Sequence, residues 1–105
     1  MNLVLNHGGF GEHLIIKREL LGGIQYVFRF GNNYGASVVK HSGSYGSDND
    51  LWELAVLKFY GPGAWDWNLD YDTEITDDVL GYLEEADVRE ILEKIKGLEN
   101  SNYVN

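Results

Sequence analysis

The 105-residue chain has no cysteine, a single proline, and eight Lys and Arg set against 17 Asp and Glu. Without cysteine there is no disulfide framework, no thiolate metal site and no Cys nucleophile, although this absence suits the cytosol and the exterior equally. Long apolar runs are missing as well. Stretches such as Leu14-Ile15-Ile16 and Leu54-Ala55-Val56-Leu57 fall far short of the roughly 20 residues that a membrane span needs. The opening Met1-Asn2-Leu3-Val4-Leu5-Asn6-His7 lacks the basic start and apolar stretch of a signal peptide, so a soluble, cytoplasmic protein is expected. The few cations are too scattered for a phosphate-binding stripe, and the acidic excess repels phosphate, so no direct nucleic-acid contact is expected. An anionic membrane surface is disfavoured on the same electrostatic ground. The length fits one domain over residues 1–105, with about 99–105 as a frayed tail.

The formal charge of −9 is unevenly spread: residues 1–47 carry +2 and residues 48–105 carry −11. The densest stretch runs through Asp66, Asp70, Asp72, Glu74, Asp77 and Asp78, with no Lys or Arg among them. Crowding like charges opposes compaction, whereas solubility alone is served by scattered charge. Ordinary surface charge and the preference of helix N-termini for carboxylates account for part of it.

Several short elements are legible. Leu14-Ile15-Ile16 opens a first strand, and Gly22-Gly23 punctuates it. In the next run Ile24, Tyr26, Phe28 and Phe30 face one way while Gln25, Val27 and Arg29 face the other. Gly31-Asn32-Asn33 supplies turn residues, and residues 34–40 read as the returning strand of a hairpin. Residues 51–60 are apolar on both faces, which predicts a central strand ended by Gly61-Pro62-Gly63. From Trp67 to Thr73 the alternation predicts a half-buried edge strand, with Trp67, Leu69 and Tyr71 inward and Asn68, Asp70 and Asp72 outward. Thr76 as N-cap, Asp77 and Asp78 in the first turn, and Val79, Leu80 and Leu83 as an apolar side predict a short helix weakened by Gly81. A second helix over 85–96 carries the stripe Val88, Ile91, Leu92, Ile95 and Leu98, with Gly97 suited to its end. The expected fold is α+β: an antiparallel β-meander of about four to five strands followed by two C-terminal helices packed on one face.

Motifs for chemistry are sparse. Asp66, Asn68, Asp70, Asp72, Glu74 and Asp77 occupy positions 1, 3, 5, 7, 9 and 12 of a twelve-residue calcium loop. Tyr71 stands where that loop requires Gly, Thr73 where it has an apolar residue, and Asp77 where it has Glu, so no metal site is assigned. His7, His13 and His41 form no H-x-x-x-H pair, and neither a nucleophile elbow nor a phosphate-loop Lys is present. An acid–base set of His41, Tyr45 and Asp48 would sit on a Ser/Gly loop with poor preorganisation. No enzymatic activity and no cofactor are expected. Trp65 and Trp67 are expected in the core; a Trp left exposed beside the carboxylates would instead be a binding anchor.

The segments Tyr34-Gly35-Ala36-Ser37-Val38-Val39, His41 through Tyr45-Gly46, Leu51-Trp52-Glu53-Leu54-Ala55-Val56-Leu57 and Tyr71-Asp72-Thr73-Glu74-Ile75-Thr76-Asp77-Asp78-Val79-Leu80-Gly81-Tyr82-Leu83 follow one another before the terminal amphipathic helix. Over residues 34–98 this pattern resembles a small, uncharacterised family of bacteriophage proteins, with residues 59–68 as an insertion. The resemblance implies a phage origin and action inside an infected cell. It supplies no activity and no catalytic residues, and residues 1–33 lie outside it.

Together these readings lead to the expectation of an acidic accessory protein that inhibits a host protein with a basic surface or nucleic-acid channel, its carboxylates standing in for phosphates. The contact face comprises Asp66, Trp67, Asp70, Asp72, Glu74, Asp77 and Asp78. The alternatives are an assembly module that homo-oligomerises through the Trp52 strand or the C-terminal helices, and a domain for a small ligand or calcium.

Overall fold

The computed structural model describes residues 10–43, 50–76 and 78–99. After a short 3-10 turn at Gly11–His13 come β1 (Leu14–Leu20), β2 (Gly23–Arg29), β3 (Tyr34–Lys40), β4 (Trp52–Phe59), β5 (Trp67–Leu69), β6 (Leu80–Leu83) and α1 (Glu85–Lys96). The strands form one antiparallel sheet in the order β1-β2-β3-β4-β5, and β6 also pairs with β4. An antiparallel meander followed by helix, an α+β fold, is therefore present.

β4 is central, as its two-sided apolar pattern predicts. One edge pairs with β3, and the other is shared end to end: Leu57, Lys58 and Phe59 pair with β5, while Trp52 and Leu54 pair with β6. Here the structure corrects the expected helix at residues 76–83. Thr76 Oγ1 does accept the Asp78 N–H at 3.1 Å, as a cap would. The chain then extends into β6 instead of coiling, and Tyr82 takes a positive φ of 58° within an irregularity of the ladder. A helix there would leave the backbone groups of the buried first half of β4 unpaired. Gly81 further weakens the helical alternative by about 1 kcal/mol. Among the described residues there is one C-terminal helix, not two.

α1 lies where its stripe predicts. Val88, Leu92 and Ile95 are buried against Tyr26, Phe28, Val38, Trp52, Leu54 and Val56, with Ile91 and Leu98 packed alongside. A twelve-residue helix is marginal on its own, so these buried side chains, at about 1.5–3 kcal/mol each, hold it to the sheet. Asp87 Oδ2 accepts the Glu84 N–H at the first turn. The last turn is tied down from the β2–β3 connection, where Asn32 Nδ2 donates to the carbonyls of Ile95, Lys96 and Leu98 at 2.9, 3.2 and 3.0 Å.

The face away from α1 is also buried. Val27, Leu57 and Phe59 form a second cluster with Ile16 and Trp67. Phe59 lies over Gly35, where a Cβ would overlap the Phe28 carbonyl and press on the Phe59 ring. Beside this cluster Arg18 Nε donates to Gln25 Oε1 at 2.7 Å, and Gln25 Nε2 donates to Ser37 Oγ at 2.9 Å. This relay lets the buried Gln25 and Ser37 keep their hydrogen bonds.

Candidate functional site

The β4–β5 connection is a tight, internally bonded turn. Tyr60 N–H donates to Asp66 O, Asp66 N–H to Gly63 O, and Gly63 N–H to Asp66 Oδ2 at 2.9 Å. A Cβ at Gly61 or Gly63 would stand 2.7 or 2.8 Å from Asp66 Oδ2, so both glycines are there to let that carboxylate in. Arg29, lying 4.5 Å over the Phe59 ring, donates to Gly61 O and to Asn33 Oδ1 and fixes the turn from below. The Asp66 carboxylate is thus turned onto the backbone of the turn that it closes.

The turn presents Trp65, which is 51% exposed. Its ring lies 6.0 Å from that of Trp67 and 4.8 Å from the Arg18 guanidinium. β1 and β5 stand four strand spacings apart in the sheet order, about 19 Å if the sheet were flat. The Arg18–Trp65 contact links the first strand to the β4–β5 turn across the face away from α1. Trp67 packs into the second cluster and is partly buried, whereas Trp65 is an exposed aromatic held by a cation. Tyr60, Leu69 and Tyr71 are exposed too, so four of the seven exposed large apolar residues among the described residues fall within residues 60–71.

β5 stops at Leu69, earlier than the alternation to Thr73 suggests. Asp70 N–H still donates to Val56 O, but Asp70 Oδ1 accepts the Asp72 N–H at 2.8 Å, an Asx turn that takes the chain off the ladder. Residues 70–76 leave β4 at Val56 and residues 78–79 lead back beside Leu54, so the ends of this loop meet on one edge. Ile75 plugs the loop into the main core, and Glu74 shares a shallow groove with Lys94, Gly97 and Leu98. Asp70, Asp72, Glu74 and Asp78 are accordingly gathered on one loop, not on one strand face. Asp77, which the sequence adds to them, lies outside the described residues. Neither the ion pairs found among the described residues, Lys40–Asp50 and Lys94–Glu90, nor the 3.8 Å approach of Glu12 to His13 includes any of these carboxylates.

No group of three His, Asp or Glu side chains among the described residues is placed to hold a metal ion. His13 stacks edge-on to Phe30 at 5.0 Å, and His41 Nδ1 accepts the Gly43 N–H. Tyr45 and Asp48, the other members of the acid–base set, lie outside the described residues, as does His7. An open groove of about 630 Å³ runs past Glu19, Leu21, His41 and Asp50 over Trp52, on which Lys40 stacks at 4.2 Å. Its lysine is already paired with Asp50 at 2.8 Å. Among the described residues no helix is long and apolar enough to cross a membrane.

The sequence reading missed the exposure of Trp65 and the part played by Arg18. The Gly61-Pro62-Gly63 run, a turn signal two residues before Trp65, was the clue that this Trp stands at a turn rather than inside a strand. No family model, no curated protein and no solved structure matches the chain. The phage-family resemblance is carried by the quoted motifs alone.

Proposed function

We propose that this chain is a small phage-type accessory protein that binds a host protein through its 60–78 surface and blocks that partner's nucleic-acid-binding face. One observation carries the reading: exposed Tyr60, Trp65, Leu69 and Tyr71 fall in the same stretch of chain as the loop carboxylates Asp70, Asp72, Glu74 and Asp78, which lie outside the ion pairs described above. Aromatic side chains provide large contact area at low entropic cost, the usual make-up of an interface hot spot. Carboxylates around such an anchor attract a basic partner and speed its approach. Trp67 acts from beneath by supporting Trp65, and Asp66 acts by shaping the turn. Asp77 contributes charge to the same stretch of sequence. Neither catalysis nor a cofactor is required.

The test uses the immobilised full chain and a bacterial lysate at low salt, followed by elution with salt or with duplex DNA. Screening shortens the reach of charge from about 10 Å at 0.1 M to about 3 Å at 1 M salt. A discrete protein released by salt and displaced by DNA is the expected result. Capture that resists both would mean an apolar interface without phosphate mimicry.

A further inference from the structure

The edges of the sheet are treated unequally. β4 has both edges filled, so association through the Trp52 strand has no free edge to use. β1 pairs with β2 along one edge, and among the described residues no strand pairs with its other edge. From the geometry of this edge we infer that β1 is the interface through which a second copy of the chain adds antiparallel, joining two sheets into one.

The argument begins at the hairpin. Leu20 and Gly23 flank a two-residue turn, Leu21-Gly22, with φ of 50° and 78°. Residues closing such a turn exchange hydrogen bonds with each other, so the backbone groups of Leu20 and Arg18 point to β2. Those of Lys17 and Glu19 point outward. A two-fold axis beside Arg18 sets Lys17 of each copy opposite Glu19 of the other, in register to exchange hydrogen bonds, four in all. The side chains of that pair are oppositely charged and share one face of the sheet, because Lys17 pairs with Tyr26 and Glu19 with Ile24.

The same register sets Ile16 opposite Leu20 and brings Leu21 over the irregularity between Leu14 and Ile16 in the other copy, where Ile15 lies. Ile15 and Leu21 are exposed large apolar residues, Leu21 at 64%. Leu21 also holds a left-handed backbone conformation that Leu rarely adopts, which presents its side chain at the hairpin tip. Arg18 meets its symmetry mate across the axis, an unfavourable like-charge pair. Its guanidinium is drawn away from the edge by Gln25 and Trp65.

So short a contact falls below the about 1,200 Å² of a stable interface, and the dimer is expected in the micromolar to millimolar range. The test measures mass by light scattering from about 10 μM to 1 mM on the full chain, with circular dichroism confirming that each variant is folded. Lys17→Glu and Glu19→Lys each place like charges opposite one another twice, and each should weaken dimerisation at least about tenfold. The double variant Lys17→Glu/Glu19→Lys restores opposite charges in the same register and should return to within about threefold of the parent chain. A monomer at every concentration overturns the inference, as when the chain's own first nine residues fill the edge. A dimer indifferent to both single reversals, or one that the double variant does not rescue, overturns it as well.

Discussion

Replacing Asn32 by Asp should lower the unfolding free energy by about 2–3 kcal/mol, more than the about 1–2 kcal/mol expected for Asn32→Ala. The order is informative because Asp is the closer match in shape. Asn32 Oδ1 accepts the Tyr34 N–H at 3.0 Å, and an Asp carboxylate keeps that bond and hence the turn. Asn32 Nδ2 donates to three carbonyls at the end of α1, and Asp loses all of these donors. It also sets a negative charge against the negative end of the helix dipole, which Ala does not. Partial exposure of the site keeps the repulsion to a fraction of a kcal/mol to about 1 kcal/mol. Urea unfolding at neutral pH measures both variants, with the slope expected unchanged and the midpoint lower. Should Asn32→Ala prove equal to or worse than Asn32→Asp, the side-chain tie between the β2–β3 turn and α1 is not what fastens the helix end.

Asn32 also marks the limit of what the chain discloses by pattern. Gly31-Asn32-Asn33 reads as a turn, and Asn33 does adopt a φ of 66°. No local signal says that its neighbour reaches the end of a helix more than sixty residues away. Where a segment's neighbours in space are its neighbours in sequence, as in the β1–β2 and β2–β3 hairpins, alternation and turn chemistry are sufficient. The stripe of α1 is legible for the same reason, since its period alone names the buried side. At residues 76–83 the local signals favour a helix: an N-cap Thr, acids behind it, and leucines on one side. They lose to an unfilled edge of β4, a demand that arises only after the sheet has formed.

The candidate site failed in a related way. Alternation from Trp67 onward implies one rigid acidic strand, yet Asp70 turns its carboxylate on the Asp72 N–H and ends the strand. Asp66 is consumed by the Gly61–Gly63 turn, an interaction with no periodic signature. The acidic composition survives as a feature of the surface, while the regular spacing that phosphate mimicry invokes gives way to a folded loop. That loop follows contours of its own, and a basic cleft of matching shape is a better fit for it than an extended phosphate groove. The exposed Trp65, expected in the core if the strand starts early, becomes the more specific half of the proposed surface.

On the proposed reading, those two halves are expected to contribute separably to partner binding. Asp72 and Glu74 are exposed and accept no hydrogen bond among those described, so Asp72→Lys/Glu74→Lys alters charge while sparing the loop. Asp70→Asn removes a further charge yet keeps an oxygen for the Asp72 N–H. The triple variant is expected to weaken binding of the captured partner by about 10–100-fold at 0.1 M salt, mainly through slower association, and to come within about threefold of the parent chain at 1 M salt. Trp65→Ala should weaken binding by about 30-fold or more at both salt concentrations, mainly through faster dissociation, since it removes contact area and not charge. It also frees Arg18 from its stack, so Arg18→Ala serves as the control that separates loss of the anchor from loss of its support. Surface-plasmon or biolayer kinetics across the two salt concentrations distinguish the patterns. Equal salt slopes for the triple variant and the parent chain would remove the carboxylates from the interface, whatever Trp65 does.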